Sequence, residues 1–513
     1  MSSLLLQSIL ELLHANKLLV AVAIVVVYLV SNVVYLRYFH PLAKFPGPFL
    51  ASVSSIWRVY HLWSLHMPEK LLALHEEYGP IVRFGPNDLN FYNTDAVQPI
   101  YKSGRSMIKS NFYDGFTTFK ANLFGNRDED VHAIRRRQTA HGFSLASLNE
   151  MEALFDVNVA ALRKKLNAYA DSGQPVDLKE VVAFYSYDVI GELAFSTKFN
   201  SQEHGRVEDL PPINDHILLG CTYGMLPSLL PWSMKLSKYI PWKWLQGMLA
   251  SRLHLREVTR KSVEARMEDK IGDQDLLTRL INAKDPETGA GLTTDDVASE
   301  AFGFFCADIK CRVAGSHTTS GTQTLLFYHL LHNRKALESV FEELASELPL
   351  LREVGAYPLQ GLEPRLPYTN ACIRENFRMS PVFTMPLPRQ VLTEGGVEIS
   401  GRLIPQGTHV SVENYALHHN ANVWGADHNV FKPERWIEGP TKGFGNYLLP
   451  FGLGHRACIG RNIAMMNVMK LTTTLLRNYN FEAADPKEEL VMESVGIGEK
   501  KGPLMVKVSK KQT

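Results

Sequence analysis

The sequence predicts a mainly α-helical body with a small β region, preceded by one N-terminal transmembrane helix. Three observations carry that expectation. A charge-free apolar run near the start is long enough to span a bilayer. Behind it, apolar residues recur at helical spacing over long stretches. The strand-like pieces between those stretches are few and short. A length of 513 residues would suggest about three domains at ordinary domain size. Beyond residue 48, however, no fixed-period repeat, low-complexity tract or second Pro/Gly/Ser linker divides the chain.

Residues 1–17 read as a short tail. Residues 18–36, LLVAVAIVVVYLVSNVVYL, then run 19 residues without a charge between Lys17 and Arg37. A cleaved signal peptide has a shorter apolar stretch ending at a small-residue site, whereas here Tyr35, Leu36, Arg37 and Tyr38 follow, so the run reads as a retained anchor. Arg37 and Lys44 beyond it outnumber Lys17 before it, which favours a body on the cytosolic side. Residues 37–48 read as a hinge, because Pro41, Pro46, Gly47 and Pro48 forbid helix continuation.

The body, residues 49–513, shows helical spacing over Met151 to Ala168, Leu178 to Phe195, Asp296 to His332 and Arg334 to Leu348. Strand-like pieces are Ile81 to Phe84 and Val397 to Val410, the latter with turns at Gly401 and Gly407. The long segment from Asp296 is interrupted by Ala314-Gly315-Ser316-His317-Thr318-Thr319. There a glycine and hydroxylated side chains that compete for backbone groups predict a kink.

Composition excludes some functions. With 54 basic and 53 acidic side chains the net charge is +1, without the basic excess of a nucleic-acid binder. Five cysteines, odd in number and scattered, are no disulfide framework, and Cys306 and Cys311 lack a second pair for a zinc site. The chain has no Asn-x-Ser/Thr sequon, which agrees with a cytosolic body.

The chemistry concentrates in Pro450-Phe451-Gly452-Leu453-Gly454-His455-Arg456-Ala457-Cys458-Ile459-Gly460-Arg461, followed by a helical pattern over Asn462 to Leu476. A cysteine on a glycine-flanked loop before a helix receives backbone N–H groups and the positive end of the helix dipole, which favour a thiolate, a soft ligand for iron. A dinucleotide loop is excluded by the charged Arg456 where phosphates need close backbone approach, and by the lack of a suitably placed downstream acid.

The string F-x-x-G-x-R-x-C-x-G is matched at every fixed position by Phe451, Gly454, Arg456, Cys458 and Gly460. It resembles the haem-binding signature of the cytochrome P450 superfamily. Other motifs follow in family order. Glu375-Asn376-Phe377-Arg378 is similar to the E-x-x-R helix, and Pro433-Glu434-Arg435-Trp436 to the later Pro-Glu-Arg segment. The resemblance implies a buried structural triad of Glu375, Arg378 and Arg435. Asp130 to Arg137 is similar to the W-x-x-x-R helix, with His132 in the tryptophan place and Arg136 in the arginine place. By the same resemblance His132, Arg136, Arg389 and Arg456 would contact haem propionates. The flanking Arg135 and Arg137 read either as a solvated basic face or as part of a docking surface for an acidic electron donor. The Ala314 to Thr319 segment resembles A-G-x-(D/E)-T-T, in which Thr318 takes the place of the threonine of oxygen activation and proton relay. His317 stands where the family carries an acid, and a histidine can still pass protons near neutral pH.

What the resemblance implies is the P450 fold from about residue 40 onward, haem b as cofactor and Cys458 as the iron ligand. The implied activity is monooxygenation of a small lipophilic molecule with O2. No flavin or nicotinamide motif is present, so electrons would come from a membrane-bound NADPH-cytochrome P450 reductase, with cytochrome b5 as an optional second donor. Such enzymes sit in the endoplasmic reticulum membrane with the catalytic domain in the cytosol. Phe112, Tyr113, Phe116, Phe119, Phe304, Phe305 and Val382 to Met385 would line the substrate side and favour an aromatic ligand. The motif wording is similar to fungal microsomal members, benzoate-hydroxylase-like and secondary-metabolite enzymes. Two alternatives stand beside hydroxylation: oxidative rearrangement or ring expansion on the same fold, and a membrane-anchored haem protein without turnover.

Overall fold

The computed structural model describes residues 17–102, 104–205, 213–268, 275–305, 317–438 and 444–512. Outside the described residues lie the tail before Lys17, Cys306, Cys311 and Ala314 to Ser316 with the kink expected there, and the side chains of Phe304 and Phe305. The apolar N-terminal segment is α1 (Lys17–Val34), none of whose residues is buried. It continues as a wide π turn over Tyr35–Phe39 and stops at His40, which is extended ahead of Pro41. The helical run therefore passes Leu36, where the sequence placed its end, and is long and apolar enough to cross a membrane.

The hinge residues do not hang free. Leu42 and Phe45 are buried. The Arg83 N–H donates to Pro46 O at 2.7 Å, and its guanidinium donates to Leu36 O at 2.8 Å. A side chain at Gly47 would collide with Arg83 O, so only glycine lets the two backbones meet there.

Behind the hinge the strands run β1 (Ile81–Gly85), β2 (Asp88–Phe91), β3 (Met107–Lys109), β4 (Val176–Asp177), β5 (Arg389–Val391), β6 (Val397–Ile399), β7 (Arg402–Ile404), β8 (His409–Val412), β9 (Tyr479–Ala483), β10 (Met492–Ser494), β11 (Gly498–Lys500) and β12 (Met505–Lys510). The largest sheet has the order β1-β2-β8-β5-β3, and a smaller one has the order β4-β12-β9. Strands β6 with β7, and β10 with β11, form hairpins.

The helices that carry the site are α2 (Glu129–Ala140), α3 (Glu152–Ser172), α4 (Leu178–Phe195), α5 (Ile213–Met225), α6 (Lys243–Glu268), α7 (Thr294–Phe305), α8 (His317–Leu331), α9 (Arg334–Glu347), α10 (Pro367–Met379) and α11 (Arg461–Asn478). Local chemistry sets their ends. Asp128 caps α2 by accepting from the N–H groups of Asp130 and Val131. Asp177 caps α4, Asn333 caps α9, and Gly173 ends α3 in the left-handed region at φ +67°. Helices α4 and α8 are buried on nearly every face. A helix buried all round belongs at the centre of a domain, and their Tyr185, Leu326 and Phe327 share one core with Leu166 of α3 and with Leu471 and Leu475 of α11. A second core gathers Phe112 and Tyr113 of the 3-10 turn Asn111–Phe116 against Leu218 and Leu219 of α5, with Val382 and Met385.

Candidate functional site

The loop before α11 is shaped by two glycines in the left-handed region, Gly452 and Gly454. A Cβ at Gly454 would lie 2.7 Å from Tyr101 O, so this residue lets the loop close onto the body. The turn that follows returns the Cys458 N–H to Phe451 O at 2.8 Å. No side chain caps α11, and its first N–H groups are left to the sulphur. Burial pushes the Cys458 thiol up, against the pull of the Gly460 N–H, the Arg136 charge and the Arg461 N–H. The residue nonetheless keeps an accessible face. A thiolate in such surroundings needs a cation at the sulphur, which is what a metal ligand has. Two cavities, of about 650 and about 290 Å3, lie elsewhere, beside Arg137 and around His329. Chemistry, not cavity size, marks the site.

Above the loop a group of cations is buried together. Arg136 donates to Ala457 O at 2.8 Å. Arg456 donates to Asn126 O at 2.8 Å and pairs with Glu129 at 2.7 Å. His132 packs edge-on to His455, which is itself bonded to Glu129 at 2.8 Å. Burial, then the charges of Arg456, Lys109, His455 and Arg136, push the His132 imidazole down to about 2, so it is neutral and offers one N–H. Arg389 donates to the Tyr113 hydroxyl at 2.9 Å, which places Tyr113 with the cations and not simply on an apolar wall.

The sequence reading missed Lys109. It is the Cα partner of Arg389 in the antiparallel β3/β5 pair, and the two are 4% and 5% exposed. Like charges directly opposite in a ladder destabilise it. Burial and the charges of Arg389 and Arg456 lower the Lys109 ammonium well below its ordinary value, opposed by Glu129. Among the described residues the cluster thus sets Lys109, Arg136, Arg389 and Arg456 against one bonded carboxylate, Glu129. A buried positive surplus facing a soft sulphur ligand fits a cofactor that brings a metal and two carboxylates, as haem does.

The structure also brings Glu375, Arg378 and Arg435 together. Glu375 accepts from Arg378 at 2.7 and 3.0 Å, from Arg435 at 3.0 Å, from the Lys432 N–H at 3.0 Å and from Trp436 Nε1 at 2.9 Å. Arg378 further donates to the carbonyls of His418 and His428 at 2.9 and 2.6 Å. The Glu375–Arg378 pair is 0% exposed, so its strength comes from full satisfaction of both groups, where an exposed helix pair would gain little.

A free basic face on α2 is not found. Arg135 turns inward to Asp296 at 2.6 Å and Glu300 at 2.9 Å, and Arg137 grips Asp285 at 2.9 and 3.1 Å. Sequence spacing could not show these carboxylates, which come from the α7 region and the loop before it. His317 opens α8 and is buried, with Thr318 beside it half-buried. Phe112, Phe116, Phe119, Val382 and Met385 do share one apolar cluster. Inside it lies a polar pair the sequence reading also missed: His216 of α5 accepts from Arg252 of α6 at 3.1 Å.

The cytochrome P450 family model matches residues 46–508. Pisatin demethylase of Fusarium vanettenii is 30% identical over 472 residues, 89% of this chain and 88% of that protein. The cytochrome P450 monooxygenase cicH of Emericella nidulans is 30% identical over 487 residues, 91% and 93% of the two chains. Benzoate 4-monooxygenase bphA of Aspergillus niger is 28% identical over 476 residues, 87% and 89%. A match that runs from residue 46 to residue 508, within the last strand, leaves one conclusion: the chain belongs to the cytochrome P450 family and is a monooxygenase that binds haem b.

Proposed function

We propose that Cys458 is the axial thiolate ligand of the haem, with His132, Arg136, Arg389, Arg456 and the newly recognised Lys109 at its propionates. In this reading the chain oxidises a small hydrophobic, aromatic-compatible metabolite in fungal secondary metabolism. The single observation that carries the proposal is a thiol at an uncapped helix N-terminus beside a buried surplus of cations. When bound, a thiolate-ligated haem supplies electron density that favours O–O cleavage. The chain supplies the rest. Glu375, Arg378 and Arg435 hold α10 against the segment that leads into the Cys458 loop. Phe112, Phe116, Phe119, Val382 and Met385 exclude water and orient an apolar substrate. His317 and Thr318 carry protons inward.

The wider setting follows from the same reading. Residues 18–36 anchor the protein in the endoplasmic reticulum membrane, residues 37–48 are the hinge, and residues 49–513 form one catalytic domain in the cytosol. NADPH-cytochrome P450 reductase supplies electrons, with cytochrome b5 as an optional second donor. The name of one relative, a benzoate 4-monooxygenase, supports aromatic ligands as the first compounds to screen.

The test is Cys458→Ala. The parent is expected to give the reduced carbon-monoxide spectrum of a thiolate-ligated haem, and the variant to lose it; retention of that spectrum in the variant would sink the assignment. His317 in place of an acid favours one second reading, oxidative rearrangement or ring expansion. Turnover under labelled dioxygen separates the two, since a product without label argues against hydroxylation.

A further inference from the structure

His317 departs from the family pattern, and the carboxylate it lacks has a candidate source in another part of the fold. His317 is the first described residue of helix α8. One turn on, on the same face, Gly321 meets β11: a Cβ there would lie 3.7 Å from Gly498 O. The residue after Gly498 is Glu499. The β10/β11 hairpin is pinned in place, because the Gly498 N–H donates to Val382 O at 2.7 Å.

The Glu499 carboxylate is oriented from two sides. One oxygen accepts from Asn214 Nδ2 at 2.9 Å, and the other meets Lys179 Nζ at 3.0 Å. A carboxylate offers about four acceptor positions, so two such contacts leave room for an imidazole N–H. The Lys179 and Glu499 side chains are 26% and 19% exposed, whereas His317 is 6% exposed. The pair therefore lies between solvent and the side of the fold where His317 is buried. Burial would raise the Glu499 carboxyl, but His317, then Lys179 and the hydrogen bonds from Lys179 and Asn214, together hold it below its ordinary value.

We propose that Glu499 is a positioning residue for His317, supplying from β11 the negative charge that the family pattern places on the helix itself. Its carboxylate fixes the imidazole ring and holds the charged form ready beside Thr318. A proton leaving His317 inward is replaced from solvent along the Lys179–Glu499 pair. Glu499 ends each cycle as it began, a carboxylate, and no residue is consumed.

This inference rests on the haem-thiolate reading, and the experiment keeps the two apart. The protein is the full-length reduced holoenzyme with carbon monoxide, a diamagnetic state, carrying isotope-labelled histidine, with His317→Gln used to identify the His317 resonances. Failure of the haem-thiolate reading shows in the parent as a missing thiolate spectrum. With that spectrum present, Glu499→Gln is expected to lower the His317 titration midpoint by about one unit, a tenfold loss of proton affinity, and Glu499→Asp to restore most of it. Lys179→Met removes the neighbouring cation but keeps the carboxylate, so it is expected to raise the midpoint. An unmoved His317 in Glu499→Gln overturns the proposal. So does a fall in Lys179→Met equal to that in Glu499→Gln, which would mean a loosened hairpin and not a lost charge.

Discussion

Lys109 and Arg389 sit opposite each other on two paired strands with almost no exposure to water, an arrangement that costs free energy unless an anion lies between the charges. The sign of its consequence differs between the two forms of the protein. Lys109→Met should raise the melting temperature of haem-free protein by removing repulsion. It should also speed haem loss roughly tenfold or more, the scale of about 1.5–3 kcal/mol for a hydrogen bond to a charged group. Haem transfer to excess apomyoglobin measures the second effect, and Lys109→Arg is expected to behave like the parent. Equal transfer rates in parent and Lys109→Met would remove Lys109 from the haem site. Cys458 and Arg456 were legible in the sequence because they share one contiguous loop motif, although the partners of Arg456, Asn126 and Glu129, lie 330 and 327 positions away. Lys109 and Glu499 were not, because each acts through strand register or hairpin docking that local spacing does not encode. Arg135 was misread for the same reason, its carboxylates being more than 160 positions along the chain.

Helix α5 and the turn Asn111–Phe116 are joined through glycines. A Cβ on Gly115 would collide with Gly220 O, one on Gly220 would lie 2.6 Å from the Phe116 ring, and one on Gly224 would collide with Phe112 O. The turn and the helix thus close one side of the apolar cluster as a single unit. Gly224→Ala pushes a methyl group against the Phe112 carbonyl, which cannot swing aside as a side-chain end can, and overpacking of that kind costs about 1–3 kcal/mol. The expected outcome is a lower melting temperature together with weaker spectral shifts for aromatic ligands; a parent-like ligand series would show that the seam does not shape the pocket. The triad acts between elements in another way. Glu375 of α10 holds Arg435 and the Lys432 N–H of a segment some 60 residues away. Glu375→Ala leaves Arg378 buried without its carboxylate, at a cost of about 3–5 kcal/mol, and Arg378→Ala does the converse. Both are expected to fail to incorporate haem, measured as haem per polypeptide, and a normal ratio in either would refute the role.

At the scale of the whole molecule, the helical segments were legible because periodicity is local: Leu178–Phe195 has the bounds its apolar spacing implies, and Arg334–Glu347 differs by one residue. The junction between the apolar N-terminal helix and the rest of the chain was less legible, because proline and glycine announce a break in the helix but not where the broken chain packs. The structure distinguishes two parts of that junction. Nothing in α1 is buried, so the body gains no packing from it. From Leu36 onward the chain is held, first by the Arg83 guanidinium on Leu36 O and then by burial of Leu42 and Phe45 against the β1 side of the body. A chain lacking residues 1–34 should therefore keep the reduced carbon-monoxide spectrum and melt close to the parent. A chain lacking residues 1–48 loses two buried apolar side chains, about 3–6 kcal/mol by area, and leaves Arg83 without Leu36 O and Pro46 O. It is expected to melt several degrees lower and to shed haem on heating before the shorter truncation does. Equal melting of the two truncations would mean that the hinge is a passive tether, and that the close approach of Gly47 to Arg83 holds nothing in place.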